Sequence, residues 1–161
     1  MKATEWVVRF AVSPPGFVLD QWVVRHLGHS PVSWLFARAD RTPYNAPLLL
    51  TAIGAKTGRE RSVVLPYFPA GDDICVVGSK GGAPTDPYWA RNLRANPRAK
   101  VRIHRRTHEV VARLAQGDER ASLWGPITAR APVYLEYQQR AEGHREIPVF
   151  VIQGVDIASL V

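Results

Sequence analysis

Apolar residues recur along this chain in two rhythms. Up to residue 45 they come at spacings of three to five: Trp6, Val7, Val8, Phe10 and Ala11, then Phe17, Val18, Trp22, Val23 and Leu27, then Val32, Trp34, Leu35 and Phe36. This predicts two short amphipathic helices, with Pro14-Pro15-Gly16 as a break and Arg25, His26 and Arg38 on the polar sides. From Ala46 the rhythm shifts to short continuous or alternating runs, which predict strands: Pro47–Ile53, Ser62–Phe68, Ile74–Val77, Lys100–Ile103, His108–Leu114 and Pro148–Ile152. Gly71-Asp72-Asp73 reads as a hairpin turn. Helices are predicted over Tyr88–Asn96, from Asp118, and from Ala131-Pro132 to Ala141, with Gly143 as the stop. About six strands without βαβ alternation argue for a small antiparallel barrel, mainly β with peripheral helices, rather than a Rossmann sheet. Residues 1–45 are expected to pack on, or lid, a barrel domain formed by residues 46–161.

Composition narrows the class. The chain has 161 residues, 46% of them apolar, which suits one domain with a real core. The one cysteine, Cys75, excludes an intramolecular disulfide and suits a reducing compartment. No apolar run reaches the ~18 residues of a membrane span. Pro14-Pro15-Gly16, Arg9 and Asp20 break the pattern of a secretory signal, so a cytoplasmic location is expected. The net charge is +7, and the stretch from Arg91 to Arg106 alone carries seven basic residues and no acidic one. Such a patch suits an anion. No zinc spacing, RNP pattern or KH pattern accompanies it, so nucleic acid is not the expected partner. The histidines at 26, 29, 104, 108 and 144 show no ligand spacing, so no metal is expected.

The most informative stretch is Gly78 to Asn92, GSKGGAPTDPYWARN. It begins where the apolar run Ile74–Val77 stops. Gly78, Ser79, Lys80, Gly81 and Gly82 carry little bulk, so ligand and backbone can approach closely. Asp86 fits an N-cap, with Pro87 at the first helical position. A second basic turn, Gly54-Ala55-Lys56-Thr57-Gly58-Arg59-Glu60-Arg61, also follows an apolar strand. If the two strands are neighbours, Lys56, Arg59, Arg61 and Lys80 would surround one polyanionic ligand. A P-loop is absent, since Arg59 and not lysine follows Gly58, so ATP hydrolysis is not expected.

The segment Leu48 to Gly58, with Pro66-Tyr67, Ser79-Lys80-Gly81-Gly82-Ala83, Pro87-Tyr88-Trp89, Asn92-Leu93 and Ala95-Asn96-Pro97, resembles the deazaflavin-dependent nitroreductase family of actinobacteria. Tyr134-x-x-Tyr137-Gln138 and Ile147-Pro148-Val149 extend the likeness, which covers roughly residues 46–153. The resemblance implies a split β-barrel and the cofactor 8-hydroxy-5-deazaflavin, coenzyme F-420, a polyanion. By carry-over, Lys56, Thr57, Arg61 (or Arg59), Ser79, Lys80, Gly81 and Gly82 would hold the phosphate and ribityl region. Pro66, Tyr67, Pro87, Trp89 and Asn92 would line the ring pocket.

A deazaflavin carries hydride, so the protein's task is to place it against an electrophilic substrate and exclude water. Candidate proton donors are Tyr134 and Tyr137, three apart on one helix face, with Ser79 as a further catalytic candidate. Ala131 stands where the family carries another aromatic residue, which implies a wider pocket and disfavours nitroimidazole substrates. The expected activity is reduction of an activated double bond, quinone or nitro group in a small hydrophobic substrate, by a monomer or homodimer. Alternatives are a non-enzymatic fatty-acid or lipid binder of the same fold, and an FMN-dependent reductase. The apolar N-terminal segment also suits peripheral contact with the inner face of a membrane.

Overall fold

The computed structural model describes residues 13–39 and 46–157. The apolar stretch Trp6–Ala11 lies outside the described residues. Helix α1 spans Pro14–Leu27 and α2 spans Pro31–Ala39. The Pro-Pro-Gly stretch expected to break the chain here starts α1 instead. Ser13 is extended (φ −84°, ψ 159°), and its hydroxyl accepts from the Gly16 N–H at 3.3 Å. Prolines in a first turn forfeit no helical hydrogen bond, which is why the pair is tolerated. Gly28, at φ 75°, ends the helix by donating to the Val24 carbonyl.

Seven strands follow among the described residues: β1 Leu48–Ile53, β2 Glu60–Leu65, β3 Phe68–Ala70, β4 Asp73–Val77, β5 Arg98–Ile103, β6 Arg106–Leu114 and β7 Val149–Gln153. Helices α3 (Tyr88–Ala95), α4 (Gly117–Arg130) and α5 (Val133–Ala141) lie between them. The strands form one antiparallel sheet in the order β2-β1-β5-β6-β7-β4-β3. The run Ser62–Phe68, predicted as one strand, is two. Pro66 has no N–H for a ladder, and the chain leaves β2 there to enter β3.

That break reveals the architecture. β2 and β3 sit at opposite edges of the sheet, yet only Pro66 and Tyr67 separate them. Three extended Cα steps span about 11 Å. The two edges therefore meet at this corner, and the sheet is curled into a split barrel. One core cluster takes side chains from almost every strand: Leu48, Leu50, Leu65, Ile74, Val76, Val101, Ile103, Val110, Phe150 and Ile152, plugged by Trp89 and Leu93 of α3. A second cluster lies on the other face of β4 and β7, where Cys75, Val77, Val149 and Val151 pack under α4 and α5 through Ile127 and Tyr134. Alternate residues of β4 and β7 thus enter different cores, so both strands read as continuous apolar runs rather than as alternation.

Two expected caps are corrected. Asp86 does not cap α3; Pro87 occupies that position, with no side-chain cap bond, and the Asp86 carboxylate turns to Arg94 and Arg145. Helix α4 opens at Gly117 after Gln116, leaving Asp118 in its first turn.

Candidate active site

The first basic turn is built on Gly54. Its carbonyl accepts from Thr57 N–H (3.2 Å) and Gly58 N–H (2.8 Å), and its N–H donates to the Arg59 carbonyl (2.8 Å). A Cβ at Gly54 would stand 2.8 Å from Thr57 Oγ1 and 3.2 Å from the Arg59 carbonyl, so a side chain there would have to displace the turn. The Thr57 hydroxyl accepts from Arg59 N–H at 3.4 Å, which gives it a turn-forming role. Lys56, Arg59 and Arg61 are left exposed, and none forms an ion pair among the described residues. Glu60, the nearest carboxylate in sequence, is taken by Lys100 at 3.3 Å.

The second turn follows β4. Ser79 is right-handed (φ −69°, ψ −44°), whereas Lys80 (φ 48°) and Gly81 (φ 63°) are left-handed. A right-handed residue followed by left-handed ones turns successive N–H groups toward one concave side and forms an anion-binding nest. Lysine in the left-handed region costs about 1–2 kcal/mol, strain that the surrounding loop sustains. Gly82, at φ 80°, packs on α5 so closely that a Cβ would lie 2.6 Å from the Tyr137 carbonyl. The Lys80 ammonium donates to Thr85 Oγ1 at 3.1 Å and lies 5.9 Å from the Tyr88 ring.

Helix α3 connects the two turns. The Asn92 carboxamide oxygen accepts from the Ala55 N–H at 3.0 Å. Tyr88 and Asn92 are one helical turn apart on one face of α3. Lys80 and the Lys56 turn therefore flank the same face of this helix.

The remaining predicted residues divide between surface and core. Pro66 is exposed, and Pro87 half-buried at the start of α3. Tyr67 is half-buried against the first core, and burial raises its phenol above the ordinary value. Trp89, expected on a pocket wall, is 9% exposed and its ring meets Phe150 edge-on at 5.7 Å. It supports the α3 face from behind. Its neighbour Tyr88 is the aromatic that faces outward, 74% exposed, with the Arg91 guanidinium 4.7 Å from its ring. Tyr134 is buried among Phe68, Trp124 and Tyr137, and burial pushes its hydroxyl well above the usual phenol range. Tyr137 is half-buried under Arg140, beside Gly82. Of the two tyrosines, Tyr137 is the one next to the nest.

One residue of this region carried no sequence signal. Arg145, in the connection after α5, donates to the carbonyls of Gly78 (3.0 Å), Ser79 (2.7 Å) and Ala83 (2.9 Å) and to the Asp86 carboxylate (3.0 Å).

Residues 37–154 match the model of the F420H(2)-dependent quinone reductase family. The chain belongs to that family. An F420H(2)-dependent quinone reductase of Mycobacterium tuberculosis is 34% identical over 146 residues, 83% of this chain and 97% of that one. A second protein of the same species, named "Putative F420H(2)-dependent quinone reductase", is 32% identical over 108 residues, 66% of this chain and 87% of that one. A solved F420-H2 dependent reductase superposes with a TM-score of 0.61 at 34% identity, covering 70% of this chain and 97% of its own. Another solved structure, described as a domain-swapped dimer, gives 0.60 at 31% identity, covering 77% and 100%. The family is one of oxidoreductases that depend on the reduced deazaflavin, and split-barrel neighbours match the curled sheet. Among the described residues, no helix is long and apolar enough to cross a membrane.

Proposed function

We propose that this chain binds coenzyme F-420 across the α3 face and uses its reduced form to reduce a small hydrophobic acceptor: a quinone, an activated double bond or a nitro group. The observation that carries this reading is the pairing of a nest at Ser79–Gly81 with cations that have no carboxylate partner among the described residues, Lys56, Arg59 and Arg61. A polyanionic cofactor fits such a site, because the nest offers backbone donors and the first turn offers three exposed positive charges.

In this reading Ser79, Lys80, Gly81 and Gly82 take the phosphate, and Lys56, Arg59 and Arg61 the outer negative charges. Thr57 shapes its turn. Pro66, Tyr67, Pro87 and Asn92 border the ring, and Trp89 fixes α3 behind it. When bound, the reduced deazaflavin supplies a hydride from its ring carbon. The protein holds the acceptor against that carbon, keeps water out and delivers one proton, which with the hydride completes a two-electron reduction. Tyr137 is the preferred proton donor of the pair, because it lies beside Gly82 whereas Tyr134 is buried in the second core. The Ser79 hydroxyl orients the ligand. In this reading the described residues 46–157 make up the cofactor domain, and the N-terminal helix Pro14–Leu27 packs on its strands β1 and β2. A homodimer is the assembly in keeping with the similar domain-swapped structure.

Helix α1 suggests where the acceptor comes from. It is packed inside out: it buries Gly16, Asp20 and Val24 while Phe17, Val18, Leu19 and Trp22 are each about half exposed or more. Asp20 is held inside by the Ser30 hydroxyl (2.8 Å) and the Val32 N–H (3.1 Å). Leu27 and Trp34 extend the apolar face, and exposed Arg25 and Arg38 border it. An apolar face edged with arginine suits the surface of an anionic bilayer, where hydrophobic quinones reside.

The test is a fluorescence titration of oxidised F-420 with purified protein, with FMN and a fatty-acid probe in parallel. Saturable micromolar F-420 binding, weakened about tenfold by Lys56→Ala and by Lys80→Ala and falling with salt, is expected. Binding of FMN alone, or of the fatty-acid probe alone, would replace this function with a flavin reductase or a lipid binder.

A further inference from the structure

We propose that Arg145 is a positioning residue, set 59 to 67 positions away in sequence from the groups its side chain binds, that holds the amides of Ser79 and Lys80 outward for the cofactor. The inference rests on the cofactor reading above. Its basis is the geometry of the peptide unit. In a trans peptide, the C=O of one residue and the N–H of the next point in opposite directions. Arg145 Nη1 draws the Gly78 carbonyl inward, so the Ser79 N–H faces away from the guanidinium. Nη2 draws the Ser79 carbonyl inward, so the Lys80 N–H also faces away. These are two of the three amides of the nest. Nε takes the Ala83 carbonyl and anchors the far end of the loop.

The arrangement requires a guanidinium. Four acceptors converge on one side chain, and only the planar fork of arginine offers enough donors in fixed directions. Arg145 is 10% exposed as a side chain, and the Asp86 carboxylate, 18% exposed, neutralises it at 3.0 Å. Asp86 also accepts from Arg94 of α3 at 3.1 Å, which links the loop to the helix that carries Asn92. The clamp therefore sets both the direction of the nest and its place against the α3 face.

The experiment compares wild type with R145Q, R145K and D86N. In cofactor-free protein, the 15N–1H resonances of Ser79 and Lys80 are expected to move in R145Q while those of Ala52 and Val101 in the barrel stay put. F-420 affinity should fall at least tenfold in R145Q and by an intermediate factor in R145K, with KM for the reduced coenzyme rising more than kcat falls. A merely structural role would lower Tm and disturb barrel amides, yet leave the folded fraction with wild-type affinity; that result overturns the assignment. Unmoved Ser79 and Lys80 amides overturn it as well. If R145Q does not fold, R145K, which keeps the charge and loses the fork, carries the same test with D86N. Wild type that binds no F-420, with both amides shifted in R145Q, would instead overturn the functional reading and leave the loop-setting role standing.

Discussion

Gly81 and Gly82 are adjacent, both left-handed, and should respond differently to alanine. At Gly81 (φ 63°) nothing lies within 4 Å of an added Cβ. At Gly82 (φ 80°) the Cβ would lie 2.6 Å from the Tyr137 carbonyl and 2.7 Å from Arg140 Cβ, where ordinary contact begins at 3.4 Å. Gly81→Ala therefore incurs only the left-handed cost of about 1–2 kcal/mol, partly offset by ~0.4–1 kcal/mol from the stiffer unfolded chain. Gly82→Ala adds an overlap with a helix backbone that cannot yield, worth a further ~1–3 kcal/mol as overpacking. At about 3 °C per kcal/mol for a chain of this size, Gly81→Ala should lower Tm by about 2–3 °C and Gly82→Ala by about 6–12 °C. The loop can relieve the Gly82 clash only by lifting off α5, so F-420 affinity should fall at least tenfold in that variant. Calorimetry and the fluorescence titration read both effects. Equal Tm losses for the two variants would refute the claim that α5 fixes the loop.

Other outcomes follow from single features of the fold. Lys80→Gly should raise stability by about 0.5–1 kcal/mol, since left-handed strain exceeds the entropy cost of glycine, while F-420 affinity drops about tenfold; loss of both together would argue against strain at Lys80. The Cys75 thiol is pushed up to about 12 by burial, from 9.0. The unfolded chain then releases that proton first, so stability should hold below pH 9 and decline as pH rises through about 12. Buried Tyr134 acts in the same direction, so Cys75→Ala should flatten the slope of the urea midpoint between pH 8 and 10 only in part; an unchanged slope would refute the burial argument. Co-sedimentation with anionic phospholipid vesicles should be strong for wild type, weak for Leu19→Ser/Trp22→Ser and weaker with neutral lipid; no sedimentation of wild type would sink the bilayer reading.

Much of the fold is legible in the chain, and the failures have local causes. Runs such as Ile74–Val77 are strands whichever face they bury, so their identification survives even though each feeds two cores. Pro14-Pro15-Gly16 reads as a break because proline disrupts helix interiors, but the Ser13 cap turns the same residues into a start. The Ser62–Phe68 run reads as one strand because alternation says nothing about which edge a strand joins. Within Pro87-Tyr88-Trp89, sequence order cannot say which ring faces out; the α3 face assigns Trp89 to Phe150 and Tyr88 to Lys80 and Arg91. Asp86 has the composition of a cap, yet two arginines outbid the helix for its carboxylate. Arg145 has no local side-chain pattern, since every group its guanidinium binds is at least 59 positions distant.

The same logic relocates the chain's positive charge. By count, the whole excess of +7 resides in the seven basic residues from Arg91 to Arg106, which makes that run the obvious anion site. In the fold much of it is occupied: Arg94 by Asp86, Lys100 by Glu60, Arg102 by the Thr107 hydroxyl, and Arg91 by the Asp86 carbonyl and the Tyr88 ring. Lys56, Arg59 and Arg61 have no such engagement among the described residues, although their turn contains a glutamate that could have served them. Glu60 faces away because β2 alternates: it pairs with Ile53, while Arg61, one residue on, emerges on the opposite side of the strand. A ligand's charge is drawn to cations whose field the protein has not already cancelled, not to those that are most numerous. The alternation of one edge strand therefore does more to support the proposed anion site than the longest basic run in the sequence.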